Sequence, residues 1–127
     1  WAFKKDTNDT REAASIYVAD YLLNEQAEIV VYDPKVTAEQ IYADLDYLGS
    51  RTGEENRKLV KIVNSAQEAC ADAHAVALMT EWDEFLDLDW EAIYDKMLKP
   101  AFLFDGRKLL NKKKMIDSGF KFYAIGN

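Results

Sequence analysis

The chain has 127 residues, 16 of them basic and 23 acidic, for a formal net charge of −7. At 49% hydrophobic, 13% aromatic and 31% charged it has the balance of a folded globular protein, and its length fits one domain spanning 1–127. No run of roughly 18 apolar residues exists, which excludes a membrane-spanning helix, and the acidic excess excludes a general nucleic-acid binder.

The opening Trp1-Ala2-Phe3 has the pattern of the tail of a strand, with no initiator Met and no signal-peptide pattern, so a piece of a longer protein is expected. Arg11 to Gln26 carries apolar residues at helical spacing without Gly or Pro, with Asp9 or Thr10 as the expected cap. Glu28 to Tyr32 predicts a buried strand that ends at Asp33-Pro34. Thr37-Ala38-Glu39-Gln40 has capping-box spacing, and Ile41, Leu45 and Leu48 continue it as a helix. Gly49 to Arg57 is polar with two glycines and predicts a surface loop.

Leu59 to Val63 predicts a third strand, followed by a short helix from Ser65 to about Asp72. Ala75 to Met79 predicts a fourth strand. Asp89 caps a helix with Trp90, Ile93 and Met97 on its inner face, stopped by Pro100. Ala101 to Phe104 is the fifth strand and Phe122 to Ile125 the sixth, with a helix between them from Asn111 to Gly119. Alternating short apolar strands and helices predict a three-layer, doubly wound, Rossmann-like sheet of six mostly parallel strands with helices on both faces and a truncated first strand.

Such sheets bind ligands at the carboxyl ends of their strands. This directs attention to the loops Phe3–Arg11, Asp33–Lys35, Thr80–Asp83 and Phe104–Lys108, expected together on one edge. Lys4, Lys5 and Arg11 surround a helix start, and Arg107 follows the fifth strand, so two of four arginines lie in these loops. They predict a phosphate or carboxylate ligand, with ordinary surface charge as the alternative. Phe3 to Arg11 holds no glycine, so the glycine turn of a dinucleotide site is absent and Asp33 reads as a turn residue. Lys4 and Lys5 stand where a phosphorelay receiver needs paired acids, which excludes that class.

A single cysteine, Cys70, permits no intrachain disulfide and points to a reducing, cytoplasmic setting. Beside one histidine, His74, it also excludes a finger-type zinc site, and no metal site is expected. Cys70 reads as a packed thiol, His74 as a turn residue and Trp82 as a packing anchor. Lys112-Lys113-Lys114 reads as a solvated helix start.

Ala2-Phe3-Lys4-Lys5-Asp6-Thr7-Asn8-Asp9-Thr10-Arg11-Glu12 resembles the opening of the C-terminal, UDP-binding domain of the UDP-glucose 6-dehydrogenase family. The resemblance continues through Tyr32 to Val36, Thr80 to Phe85 and Lys99 to Arg107, and covers essentially the whole chain. The double lysine and the stretch from about Asp46 to Leu59 resemble the eukaryotic members. This resemblance implies oxidation of UDP-glucose to UDP-glucuronate in two NAD-linked steps. It implies that Phe3 and Lys4 hold the UDP-sugar, that Arg107 contacts substrate, and that Arg11 reaches the NAD. Asn8 replaces the family's usual glycine and is expected to tolerate positive φ. The NAD domain, the catalytic cysteine and the catalytic lysine precede this segment in the family. The chain is therefore expected to supply nucleotide binding and no catalytic residue, and to be inactive alone. A full-length homo-oligomer is implied. A UDP-N-acetylhexosamine or GDP-mannose dehydrogenase, or a free-standing nucleotide-binding module, are the alternatives.

Overall fold

A computed structural model describes residues 1–11 and 13–124. Glu12 and Ile125, which the sequence places in the first loop motif and the last strand, lie outside the described residues. The chain divides into two compact units, Trp1–Ser65 and Ala66–Asn127.

The first unit contains α1 (Ala14–Asn24), β1 (Ile29–Val31), α2 (Ala38–Leu48), α3 (Gly53–Leu59) and β2 (Val60–Ile62). β1 and β2 pair in parallel, Ile29 opposite Val60. The second unit contains α4 (Ala66–Cys70), β3 (Ala75–Leu78), a 3-10 turn (Asp83–Phe85), α5 (Trp90–Lys96), β4 (Phe102–Asp105), α6 (Lys112–Asp117) and β5 (Lys121–Ala124). Its strands form a parallel sheet in the order β3-β4-β5. No helix among the described residues is long and apolar enough to cross a membrane.

The alternating α/β pattern is as expected, but the sheet is not six-stranded: the described strands form one pair and one triplet. Trp1–Phe3 form no strand, because their backbone groups go elsewhere. The Ala2 amide donates to Asp33 Oδ2 at 3.0 Å and the Phe3 amide to the Asp9 carbonyl at 2.8 Å. The strands of the second unit are not buried on both sides. Leu103 and Phe122 are buried, whereas Phe104 and Tyr123, on the opposite side of β4 and β5, are 44% and 55% exposed.

Three local differences have clear causes. Helix α1 starts three residues later than expected, with Ala13 as its cap and no side-chain bond there, since Asp9 is engaged with Arg11. The expected loop at 49–57 contains α3. Thr52 accepts from the Glu55 amide while the Glu55 carboxylate accepts from the Thr52 amide, a complete capping box. Positive φ in the first loop falls on Asp6, at 63°, rather than on Asn8; the short polar side chain of Asp tolerates this conformation. The expected caps Thr37, Asp89 and Asn111 each accept from the amide three residues on.

The core of the first unit includes Ile16, Leu23, Ile41, Leu45 and Val60, that of the second Trp90, Ile93, Leu103, Met115 and Phe122. Trp90 satisfies its indole N–H on the Phe85 carbonyl at 2.9 Å. Arg51 stitches the first unit together: its guanidinium donates to Asp20, Asn24 and Asn56, and Asn56 donates on to Asp46 at 2.9 Å.

Candidate functional site

The candidate residues fall in both units. In the first, Asp33 stands just past β1 and binds the start of the chain. Its carboxylate meets the Trp1 ammonium at 3.0 Å and accepts from the amides of Ala2, Lys35 and Val36. Burial pushes the Asp33 carboxyl up, but the Trp1 ammonium and the three amides together outweigh it and hold it below the usual value. Asp33 is thus a turn residue as expected, and also the fastener that fixes the stem of the first loop. Ser15 adds a second tie, donating to the Trp1 carbonyl at 2.8 Å.

From that stem the chain runs through Phe3, Lys4 and Lys5, all exposed, and is closed by the Phe3–Asp9 backbone bond. Asp9 then orients Arg11. The Arg11 amide and Nε both donate to Asp9 Oδ1 at 3.0 Å, and Nη2 donates to Oδ2 at 2.8 Å. The Arg11 side-chain bond, helped by its amide, draws the Asp9 carboxyl down to about 2. The fork is held on one side while the Arg11 side chain stays 88% exposed. Beside it opens a cleft of about 660 Å³ lined by Phe3, Arg11, Tyr17, Asp44 and Tyr47.

In the second unit, Arg107 follows β4. Asp105 Oδ1 accepts from the Arg107 amide at 3.0 Å and Oδ2 from the Leu110 amide at 2.7 Å, so a buried carboxylate shapes the loop. Arg107 Nε stands 2.8 Å from Glu81 Oε2, which ties the loop after β4 to the loop after β3. Glu81 and Asp105 were not singled out by the sequence. The Asp105-Gly106 turn was the available signal for the second, since Asp commonly caps its own turn.

Cys70 and Trp82 are buried, and burial pushes the Cys70 thiol up to about 11, a packed side chain. His74 is exposed and serves β4 through its backbone carbonyl. Among the described residues no three His, Cys, Asp or Glu side chains gather to hold a metal. The loop before α1 and the loop after β4 each carry a braced arginine, which suits an anionic ligand.

Comparison with known proteins agrees with this chemistry. The chain is 49% identical to the UDP-glucose 6-dehydrogenase of Bos taurus, covering 99% of this chain and 26% of that protein. It is 46% identical to UDP-glucose 6-dehydrogenase 4 of Arabidopsis thaliana, covering 99% and 28%. The chain thus spans about a quarter of the length of these relatives. The crystal structure of an NDP-N-acetyl-D-galactosaminuronic acid dehydrogenase from Methanosarcina mazei Go1 superposes with a TM-score of 0.77 at 24% identity, over 100% of this chain and 23% of that one; it shares the α/β fold. The profile described as UDP-glucose/GDP-mannose dehydrogenase family, UDP binding domain, matches residues 1–112. By that match and these identities, the chain belongs to the UDP-glucose/GDP-mannose dehydrogenase family, as its UDP binding domain.

Proposed function

We propose that residues 1–127 act as one UDP-sugar-binding domain of a cytoplasmic, homo-oligomeric, NAD-dependent UDP-glucose 6-dehydrogenase. The observation that carries this reading is the pair of braced arginines: Arg11 held by Asp9, and Arg107 held by Glu81, each on a loop whose backbone is fixed by a carboxylate. Phe3 and Lys4 hold the UDP-sugar, the ring packing on it and the ammonium meeting phosphate charge. Arg107 contacts the substrate through its guanidinium, while Glu81 fixes the plane of the fork. Because the braces exist before ligand arrives, little side-chain entropy is lost on binding.

NAD, bound mainly by another domain, accepts hydride in this chemistry. The residues here fit its margin only: Phe3–Arg11 has no glycine turn, and Arg11 offers one exposed, oriented cation. No residue of this chain acts on the sugar carbon, so the chain alone forms no NADH from UDP-glucose.

The test is titration of the purified chain with UDP. Arg107→Ala and Lys4→Ala are each expected to weaken binding by about 1.5–3 kcal/mol, roughly ten- to a hundredfold. Unchanged affinity in both variants would make these cations surface charge and overturn the reading.

A further inference from the structure

Of the 16 basic residues, five lie in the short stretch Arg107, Lys108, Lys112, Lys113 and Lys114, and no acid interrupts it. Every arginine of the chain is ion-paired. Lys108, Lys112, Lys113 and Lys114 are exposed, and among the described residues none of the four makes an ion pair. Three of them open α6, where their charge opposes the helix dipole, and Lys108 holds the left-handed backbone conformation at φ 55°. Local rules broken twice, with no partner gained within the fold, mark function rather than stability.

Asp105 gathers these charges. Its carboxylate accepts from the Arg107 amide and from the Leu110 amide, so the turn closes on itself at the end of β4. Lys112 follows two residues on, its Cα within about 8 Å of that of Leu110. The acids beside the cluster are Glu81, on Arg107, and Glu91 and Asp117, which line a depression together with Lys113 and Lys114. Resting on the function proposed above, we propose that Lys108, Lys112, Lys113 and Lys114 form an electrostatic funnel that steers the anionic diphosphate of the substrate onto Arg107 and does not touch it once bound. A chain of net charge −7 repels an anion at long range, and cations grouped beside the binding arginine offset that repulsion along the approach. At about 0.01 M salt the Debye length is about 30 Å, well beyond the spacing within the cluster, whereas at about 1 M it is about 3 Å. The funnel therefore acts on the rate of association, and salt abolishes it.

Stopped-flow binding of a fluorescent, ribose-labelled UDP to the full-length dehydrogenase tests this. The triple variant Lys112→Gln, Lys113→Gln, Lys114→Gln is expected to associate about three- to tenfold more slowly at about 0.01 M salt, with dissociation unchanged. At about 1 M salt the difference is expected to vanish. Lys112→Arg, Lys113→Arg and Lys114→Arg together keep the charge and should restore the wild-type association rate. Equal association in the wild type and the glutamine variant overturns the proposal. Faster dissociation also overturns it, because the lysines are then contacts, as does a loss that persists at high salt or an arginine variant as slow as the glutamine one. Arg107→Ala in the same assay separates the two readings. Weakened UDP binding there, beside a glutamine variant that is not slowed, breaks only the steering; unchanged affinity there breaks the nucleotide reading.

Discussion

Two arginine–aspartate pairs in the first unit share chemistry and differ in surroundings. Arg51 and Asp20 are 8% and 19% exposed in their side chains; Arg11 and Asp9 are 88% and 37% exposed. Arg51 donates to partners on both α1 and α3, and its guanidinium has little left for a ligand. Arg11 is held along one edge only. Burial and the number of partners, rather than residue type, separate a cation that holds the fold from one available for binding.

The largest effect expected from this contrast is on stability. Arg51→Ala leaves Asp20 enclosed without its counter-charge and should cost about 3–5 kcal/mol, read from urea denaturation. Arg11→Ala should leave the same midpoint unchanged; equal shifts would end the distinction. A second check concerns packing rather than charge. Gly119 has φ +113°, and a Cβ there would stand 2.5 Å from the Tyr94 ring, so Gly119→Ala should cost about 1–3 kcal/mol in the same experiment.

The smallest effect sharpens the exposed pair. The Asp9 carboxyl lies near 2, below its ordinary 3.8, so the ordering it gives Arg11 is complete above that ordinary value and is lost as pH falls toward 2. Carboxyl-carbon NMR titration should show Asp9 near 2 in the wild type and closer to 3.8 in Arg11→Ala. A carboxyl that titrates alike in both would mean the fork does not hold.

Sequence patterns read locally found β1 to β5, since β-branched and aromatic runs between turns have few other solutions, but not the fate of Trp1–Phe3, whose amides bond to Asp33 and Asp9 instead of a neighbouring strand. Caps at Thr37, Asp89 and Asn111 were equally legible, being bonds within three residues. The α3 helix was missed because two glycines and a polar composition outweighed the Thr52–Glu55 spacing, and its support from Arg51, Asn56 and Asp46 is not local. The loop bearing Arg107 was legible as the end of a strand, whereas the loop bearing Phe3 and Arg11 follows no strand among the described residues. Glu81 was not legible, because it lies 26 positions from Arg107 and only the parallel pairing of β3 and β4 brings their exits together.

Burial of Cys70 has a practical side. With the thiol near 11, only about one molecule in a thousand carries a thiolate there at pH 8. It is also the only cysteine in the sequence. This buried thiol therefore reacts slowly with maleimide and iodoacetamide dyes in the 127-residue chain. A cysteine introduced at any exposed position becomes a unique handle, so spin labels or fluorophores can be attached one at a time without first removing a native thiol.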